Sequence, residues 1–473
     1  MRIEEDSIGK REISEDCLFG INTLRGQENF AISGRTIRDE PMFIHAIAIV
    51  KKAAALANKT IGALPDKTVD AIVSACDEIL DGKHLEYFVI DMFEGSGGTS
   101  INMNVNEVIA NRALKILGHQ CGAYQFLHPN DHVNRGQSTN DVVPTALKLA
   151  VYAKSGALIE VLDTLAEAFA AKAREFDDVL RIGRTCMQAA QPMTLGQAMG
   201  GYAALTRRLR DKVASQRVDL LVVPLGGTAI GTGLGCAPGY RESVVAELSR
   251  LLGEPLEAAD DMFDGMQNAD TLARFSSELR IVGDSMGKIA ADLIILCSGS
   301  NSGLGEVVLP NVQPGSSIMP GKVNPVMPMM IQQIAFAVTG NDAAVSLAAL
   351  QGQLEINHFE PIMASRIFDS LDLLTNGLRL FTEKCIRGLE ANREQSLRNL
   401  MDSSALASVF LPQLGYEKVT EIVKQSLRET RPFATLSVEK GLLSQDQVMQ
   451  TLYESTRYQS ATTQATDRSA SAF

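Results

Sequence analysis

The sequence predicts a mainly α-helical protein built around several long helices that pack together as a bundle. Five proline-free intervals are rich in Ala, Leu, Met, Glu and Lys. A proline inside a helix costs about 3 kcal/mol, so prolines mark helix boundaries. Within the intervals, apolar residues recur at alternating steps of three and four, which places them on one face of a helix. Long helices of this kind bury that face by packing against each other.

Each of the five intervals predicts one long helix. They lie between the prolines at 144 and 192, 192 and 224, 255 and 310, 328 and 361, and 361 and 412. The clearest apolar face has seven members: Leu272, Phe275, Leu279, Val282, Met286, Ile289 and Leu293. The first interval repeats the pattern at Leu158, Leu162, Leu165 and Phe169, with small alanines between them that permit close helix approach.

The length of the chain predicts more than one structural unit, because 473 residues exceed the size at which one hydrophobic core keeps growing. Residues 1–140 have shorter apolar stretches and a Gly-rich segment at 94–100, which indicates a separate N-terminal domain. We expect a central helical bundle domain at 141–395 and a small C-terminal helical domain at 396–455. The last residues, 456–473, are rich in Ser, Thr, Ala and Gln, which predicts a disordered tail.

The charge balance argues against nucleic acid and membranes as partners. The chain has 44 Lys and Arg against 56 Asp and Glu, a formal net charge of −12, and no run of basic residues. Surfaces for nucleic acid or anionic membranes need clustered cations that neutralise phosphate. A dianionic ligand would therefore have to be held by local hydrogen-bond donors and one or two placed cations.

The cysteines and the N-terminus indicate a cytoplasmic protein. Seven cysteines are scattered, and none forms a C-x-x-C pair, which argues against a disulfide framework or a structural zinc site. None of the six histidines has metal-ligand spacing to another, so no metal is predicted. The N-terminal residues are polar and acidic, unlike a signal peptide, and no uninterrupted apolar run of about 18 residues suggests a membrane span.

Three polar, Gly-punctuated segments lie at the edges of predicted helices, at 97–106, 132–141 and 315–325. They carry short neutral donors: Thr99, Ser100, Ser138, Thr139, Asn140, Ser316, Ser317 and Asn324. At a helix N-terminus such side chains combine with free backbone N–H groups to bind carboxylates. Plain helix capping explains any single segment equally well, but three together favour a binding site for carboxylates.

The third segment, GSSIMPGKVNP at 315–325, is the most specific of the three. Glycines flank it, and its one cation, Lys322, lies six residues after Ser316. Such a loop is suited to closing over an anion and delivering a serine. Taken alone, it is equally compatible with a flexible surface connection.

These motifs resemble the aspartase/fumarase superfamily. Besides GSSIMPGKVNP, the similar stretches occur in the same order over roughly residues 1–430: GTSINMNVNEVIANRAL, HPNDHVNRGQSTNDVVPTAL, Gly-Arg-Thr at 183–185, GGTAIGTGL and GQLEINHFEP. The opening RIEEDSIGKREI and the later TEKCIRGLEAN resemble the aspartate ammonia-lyase branch more than the fumarase branch.

The resemblance implies a three-domain, mainly α-helical subunit with a central five-helix bundle. It also implies a homotetramer whose active sites draw segments from three subunits. The implied reaction is elimination from L-aspartate or a close analogue, in which removal of the C3 proton gives fumarate and ammonia or an amine. The substrate is then a small dicarboxylate amino acid, and neither a metal nor an organic cofactor is required.

The resemblance also assigns roles to individual residues. Ser316 becomes the general base that removes the C3 proton. Lys322 and Asn324 hold one substrate carboxylate. The residues that hold the other carboxylate are Thr99, Ser138, Thr139 and Ser317. Asn140 and Thr185 flank the leaving group, with Cys186 beside them.

Three positions depart from the family pattern. Cys186 stands where His or Gln is usual, and Met329 stands where Glu is usual; in fumarases those two residues form a pair. Ser300 and Asn301 replace a usual Pro-Arg. Losing both members of the pair together avoids an unpaired buried charge. Cys186 is therefore expected to be a small buried filler, with a thiol tuned for nucleophilic work as the alternative.

Alternative functions remain open at this point. Fumarate hydratase shares the fold and the base but must activate water, and the missing His–Glu pair weighs against it. A lyase for a substituted aspartate fits the three departures. A non-catalytic scaffold is disfavoured because Ser316, Lys322 and Asn324 are all present.

Overall fold

The computed structural model of the chain describes residues 1–299 and 302–457. The helices are α1 Ile21–Asn29, α2 Pro41–Thr60, α3 Asp66–Leu80, α4 Thr99–Ile116, α5 Thr139–Glu175, α6 Leu195–Gln216, α7 Tyr240–Leu252, α8 Met262–Gln267, α9 Asp270–Leu296, α10 Val326–Leu350, α11 Glu360–Phe381, α12 Arg393–Met401, α13 Leu411–Leu414, α14 Tyr416–Glu429, α15 Phe433–Glu439 and α16 Gln445–Arg457. The strands are β1 Arg2–Asp6, β2 Gly9–Ile13, β3 Leu180–Thr185, β4 Gln188–Thr194, β5 Val222–Val223, β6 Glu257–Ala258, β7 Val307–Val308 and β8 Glu390–Ala391. The predicted mainly α fold class is confirmed.

The five long helices predicted from proline spacing are all present as α5, α6, α9, α10 and α11. The boundary at Pro144 was wrong, because α5 begins at Thr139 and contains this proline within its second turn. The missing N–H there costs one backbone bond near the helix start, which a 37-residue helix tolerates. Pro192 ends no helix either, since it lies in β4.

The predicted apolar faces are buried. All seven members of the α9 pattern are at most 1% exposed: Leu272, Phe275, Leu279, Val282, Met286, Ile289 and Leu293. The four residues of the α5 pattern are fully buried: Leu158, Leu162, Leu165 and Phe169. Periodicity of three and four therefore identified the core-facing side of both helices correctly.

The chain divides into two compact units, each made of three separate segments. Unit 1 comprises 1–160, 211–284 and 335–375. In it, α2 packs against α3 and α7, and α3 packs against α4. The β1–β2 hairpin is antiparallel, and β5 pairs in parallel with β6.

Unit 2 comprises 161–210, 285–334 and 376–473. Its antiparallel hairpin β3–β4 packs against α12 and α16. Its largest fully buried aromatic side chains include Phe410 and Phe433, whose rings stack 5.9 Å apart. The short strands β7 and β8 pair in antiparallel fashion.

The division into sequential domains at 1–140, 141–395 and 396–455 stays a prediction. Of the predicted tail, residues 458–473 lie outside the described part of the chain, whereas Thr456 and Arg457 belong to α16. Ser300 and Asn301, which replace the usual Pro-Arg of the family, also lie outside it.

Two described helices, α5 and α10, pass a length and composition test for membrane-spanning segments. The most apolar window of α5 is 67% buried, as expected for the core helix of a soluble protein. The corresponding window of α10 is only 22% buried. Polar residues such as Asn341 and Asp342 interrupt α10, so the test is weak evidence for a membrane span.

A buried carboxylate of α4 organises the start of α1. Glu107 is 1% exposed and accepts hydrogen bonds from the backbone N–H groups of Gly20, Asn22 and Thr23, at 2.8, 2.9 and 3.1 Å. The Thr23 hydroxyl donates a further bond of 2.6 Å. Helix N-termini leave backbone donors without partners inside the helix. Glu107 satisfies these donors across a sequence separation of more than eighty residues.

We predict that Glu107→Ala lowers the free energy of unfolding by about 3 kcal/mol, because several buried donors lose their acceptor at once. Glu107→Gln should cost less, because one amide oxygen still accepts. The measurement is the midpoint of urea unfolding at constant slope.

Glu28→Ala provides the matched control on α1. This glutamate forms an exposed ion pair with Arg11 at 3.6 Å, and pairs of that kind contribute little to stability. If Glu107→Ala shifts the midpoint no more than Glu28→Ala does, the buried carboxylate does not hold α1 as described.

Candidate active site

The first predicted donor segment forms the N-terminus of α4. Gly97 and Gly98 precede the helix with positive φ values of 67° and 89°, a conformation that glycine adopts without steric cost. A Cβ at Gly98 would lie 3.0 Å from Val143 Cγ1, so the starts of α4 and α5 approach closely. Thr99 is exposed at the first helical position, and the Ser100 N–H donates to Ser96 Oγ at 2.8 Å.

The second segment forms the N-terminus of α5. Ser138 Oγ accepts from the N–H of Asn140 at 3.2 Å. The carboxylate of Asp141 accepts from the N–H of Ser138 at 2.9 Å. Ser138 therefore does cap its helix. The cap uses only a lone pair of the hydroxyl, so its proton remains available to a ligand.

Asp141 ties this segment to the loop after β5. Its side chain is fully buried and accepts from the N–H groups of Gly226 and Thr228 at 3.1 and 3.0 Å. Burial raises the pKa of Asp141 to about 6, although the hydrogen bonds from Ser138, Thr228 and Gly226 act to lower it. The two loops therefore share one buried acceptor.

Lys51 of α2 lies beneath the same segment. It is fully buried, and its Nζ donates to Asn134 Oδ1 at 2.7 Å. Burial lowers the pKa of Lys51 to about 7, while the nearby Asp141 acts to raise it. Burying a lysine lowers the free energy of unfolding. Its presence here therefore suggests a role in the site.

Two asparagines of α4 complete this network. Asn102 Nδ2 donates to Thr139 Oγ1 at 3.2 Å and to Asn134 Oδ1 at 3.3 Å. Asn106 Nδ2 donates to the same Asn134 oxygen at 3.2 Å. Both asparagines are buried, so the network links α4 to the start of α5.

The side-chain amide of Asn140 has a bonded nitrogen and an oxygen that is available to a ligand. Its Nδ2 donates to the carbonyl of Ala229 at 2.8 Å. No bond to its Oδ1 occurs among the residues that the structure describes. Unit 1 thus brings together five of the predicted site residues: Thr99, Ser100, Ser138, Thr139 and Asn140.

The serine loop belongs to unit 2 and closes on itself. The N–H of Gly315 donates to the carbonyl of Lys322 at 2.7 Å, and Asn324 Nδ2 donates to the carbonyl of Gly315 at 2.7 Å. A Cβ at position 315 would lie 2.7 Å from that Lys322 oxygen, so glycine is required there. The amide nitrogen of Asn324, predicted to hold a carboxylate, is thus engaged in closing the loop.

Within this loop, the Ser316 hydroxyl is held by backbone donors. Its Oγ accepts from the N–H groups of Ile318 and Met319 at 3.2 and 3.1 Å. Ser316 is half-buried, whereas Ser317 and Lys322 are exposed. Across the described ranges, Lys322 has no carboxylate partner. Its charge therefore remains available to an anion.

A cavity of about 510 Å³ lies beneath the serine loop within unit 2. Val323, Asn324 and Pro325 of the loop line it together with the start of β7 and the end of α9. The end of the loop therefore borders an open cavity of unit 2.

The β3–β4 hairpin carries the two remaining predicted residues, Thr185 and Cys186. Thr185 pairs with Gln188, so Cys186 and Met187 form a two-residue turn, with φ values of 51° and 63°. Both positive angles are the geometry of a type I′ turn. The expectation of a buried Cys186 is wrong: the side chain is exposed at the hairpin tip, because a turn of this type directs its residues away from the strands.

A charged cluster supports the base of this hairpin. Arg181 and Arg184 both pair with the buried Glu306 at 2.8 Å. Arg181 contacts Oε2 and Arg184 contacts Oε1, and Asn399 of α12 donates to the same Oε1 at 3.0 Å. The hairpin is thereby anchored at its base while its tip remains free.

Lys51, Asn102 and Asn134 are not among the site residues predicted from the sequence. Asn102 and Asn106 are four residues apart and so lie on one face of α4. Buried amides at that spacing, beside a lysine embedded in the apolar α2, were the available signal. The hydrogen bonds between these residues could not be predicted, because they form only when the fold brings α2, α4 and the start of α5 together.

Comparison with known proteins gives consistent results. A model of the lyase family matches residues 9–340. Aspartate ammonia-lyase of Helicobacter pylori is 44% identical over 448 residues, which cover 95% of this chain and 96% of that protein.

Two solved structures also match over nearly the whole chain. Fumarate lyase:delta crystallin from Brucella melitensis in native form has a TM-score of 0.90 at 44% identity, with 96% of this chain and 99% of that one covered. The class II fumarase of Schistosoma mansoni has a TM-score of 0.89 at 33% identity, with coverages of 95% and 98%. The fold, the motifs and these relatives agree, and the chain belongs to the lyase family of the aspartase/fumarase superfamily.

Proposed function

We propose that this chain is an aspartate ammonia-lyase, which converts L-aspartate to fumarate and ammonia. The observation that carries the proposal is the environment of Ser316. Two backbone N–H groups donate to its Oγ, and Lys322 is the one cation of the same loop. Hydrogen bonds to the charged form of a group favour that form, so this loop suits a serine that acts as an alkoxide base.

The proposed reaction begins when Ser316 removes the C3 proton of aspartate. The electron pair left behind moves into the neighbouring carboxylate, which becomes an aci-carboxylate with a second negative charge. Hydroxyl donors at two helix N-termini supply the stabilisation: Thr99, Ser138 and Thr139. Ser317 joins them from the serine loop. Preorganised donors aimed at developing charge typically supply several kcal/mol.

The open oxygen of Asn140 favours an amine as the leaving group. Because Nδ2 is committed to Ala229, the atom left for a ligand is an acceptor. An ammonium group is a donor only, so it matches this oxygen. Thr185 flanks the same group in the proposed site, and the second carboxylate of the substrate pairs with Lys322.

The relatives support this choice of substrate. The proteins named aspartate ammonia-lyase in Helicobacter pylori and Bacillus subtilis are 44% and 42% identical to this chain. A cytoplasmic location fits the seven cysteines, all of which are free.

The assay for the proposal follows the ultraviolet absorbance of fumarate. Purified protein is given L-aspartate, L-malate and N-substituted aspartates in parallel. We expect turnover of aspartate to exceed that of malate. Malate turnover far above that of aspartate would identify a fumarate hydratase instead, and faster turnover of a substituted aspartate would reassign the amine. Absence of turnover with every substrate would favour a scaffold role.

We predict that Ser316→Ala lowers kcat for aspartate by at least about 10²-fold, the lower range for a positioned base. Substrate binding and folding should change little, because the lost hydroxyl acts in proton removal. Lys322→Ala should instead raise KM as well as lower kcat, since its charge contacts a carboxylate in both ground and transition states.

Ser408→Ala is the control, because this serine is exposed in unit 2 and bonds only to a local carbonyl. Its kinetics should match those of the wild type. A Ser316→Ala enzyme that retains more than about a tenth of normal kcat would rule out Ser316 as the base.

We further propose that the protein is a homotetramer with composite active sites. The exposed side of α10 supports assembly: Phe336, Leu347 and Leu350 are 70%, 61% and 73% exposed. Contiguous apolar surface of this kind marks protein contacts in soluble proteins. A symmetric assembly would bury it.

We predict that Phe336→Asp combined with Leu347→Asp yields smaller, inactive species that retain helical structure. Light scattering should give about four chain masses for the wild type and fewer for the variant. Leu427→Asp, on α14, is the control, because Leu427 is similarly exposed at 67%. A wild-type monomer with full activity would contradict the composite site.

The Cys186 and Met329 departures give a separate prediction. Cys186→His with Met329→Glu should restore a polar pair, and histidine is among the residues that tolerate the positive φ found at position 186. We expect the two changes together to differ from the sum of the single effects on kcat and thermal stability. Additive effects would show that these positions do not contact each other in the assembly.

A further inference from the structure

The hydrogen bonds around Asn134 have a fixed direction. Lys51 Nζ donates to the Asn134 oxygen at 2.7 Å. On the other side, Asn134 Nδ2 donates to the carbonyl of Gln137 at 3.1 Å, and a carbonyl can only accept. The Gln137 carbonyl therefore fixes the orientation of the Asn134 amide, and the bond from Lys51 agrees with that orientation.

That orientation determines the next amide in the network. Because Asn134 presents its oxygen, the Asn102 atom at 3.3 Å from it must be a donor nitrogen. The same nitrogen lies 3.2 Å from Thr139 Oγ1. Asn106 obeys the same constraint from the next turn of α4. The orientation of the Asn134 amide thus determines which atom of Asn102 faces it.

The last member of the chain is the Thr139 hydroxyl. Since Asn102 donates to its oxygen, that hydroxyl must direct its own proton elsewhere. Among the residues described here, no acceptor for this proton is found. Thr139 is the first residue of α5 and is half-buried. Its proton is therefore available at the position where the proposed function places a substrate carboxylate.

We propose that Asn102 is a positioning residue that directs the hydroxyl proton of Thr139 toward the substrate carboxylate. Lys51 and Asn134 set the direction of the bonds on which this depends. The inference rests on the proposed function in one respect, that Thr139 contacts a carboxylate. It gives the buried Lys51 a purpose, because its bond supports the orientation of Asn134 that the Gln137 carbonyl fixes.

The Asn102 N–H occupies one lone pair of the Thr139 hydroxyl, so the hydroxyl proton points away from Asn102 and is available to the substrate carboxylate. A donor fixed before the substrate arrives needs no reorientation as charge develops on the carboxylate. The effect of Asn102 should therefore be expressed through Thr139, and a double-mutant cycle measures that dependence directly.

The experiment compares Asn102→Ala, Thr139→Val and the double variant, with KM and kcat for aspartate and calorimetric binding of succinate as readouts. Valine keeps the shape of threonine but removes the hydroxyl. We expect Asn102→Ala to reduce kcat/KM and succinate affinity by about tenfold, the order of one bond to a charged group. In the Thr139→Val background the same change should cost less than about twofold.

Asn104→Ala is the matched control. Asn104 lies on α4 and is as buried as Asn102, but its Nδ2 donates to the Tyr87 carbonyl at 2.9 Å and its Oδ1 accepts from the N–H of Val89 at 3.1 Å. It should lower the unfolding temperature to a similar extent. Its effects on KM and on succinate binding should be small and unchanged by Thr139→Val.

Asn102→Asp is the second variant, used whether or not Asn102→Ala folds. The introduced carboxylate keeps the size of the amide but accepts the Thr139 proton. We expect it to weaken succinate binding more than Asn102→Ala does, although it leaves no cavity. Equal loss from Asn102→Ala in both backgrounds, equal loss from Asn104→Ala, or full succinate binding by Asn102→Asp would each overturn the proposal.

The outcomes separate this inference from the proposed function. A wild type that turns over aspartate but shows no coupling between Asn102 and Thr139 retains its function and loses the inference. A wild type that does not turn over aspartate, yet binds succinate with coupling, retains the inference and loses the function. Absence of both turnover and succinate binding overturns both.

Discussion

The hydrogen bond between the Lys51 ammonium and Asn134 is the constraint on which the donor side of the site depends. A buried ammonium must be satisfied, and here the acceptor is the side chain that also receives Asn102 and Asn106. One requirement of burial therefore fixes three amides and, through them, a hydroxyl at the start of α5. The buried lysine therefore supports an ordered set of hydrogen bonds at the start of α5.

The starts of α4 and α5 follow the same logic with backbone groups. Helix N-termini carry unpaired N–H groups and a partial positive charge, which suits a dianionic ligand in a protein whose formal net charge is −12. Glycine at position 98 lets the two helix starts approach. Asp141 holds the neighbouring loop against one of them from beneath. Local donors thus overcome an unfavourable overall charge.

The sequence predicted the helices well because proline placement and apolar periodicity are local properties. It predicted the donors at Ser138 and Thr139 and the serine loop from motifs. It could not predict the direction of the Asn102 bond, which depends on Lys51 of another helix. It also misplaced Cys186, because nothing in a cysteine and a methionine indicates a type I′ turn, which Asn and Gly usually form. The conformation of this turn is determined by the pairing of the two strands that flank it.

The serine loop, residues 315–325, holds the Ser316 hydroxyl through bonds made within the loop. Other bonds run from Gly315 to Lys322 and from Asn324 back to Gly315, so the surroundings of Ser316 are set by the loop itself. Ile318 at its tip is 83% exposed. Removing an apolar side chain from water is favourable, so contact with another surface would stabilise this tip. In the proposed reaction, a covered tip would exclude water around Ser316, and exclusion of water strengthens hydrogen bonds to a developing charge.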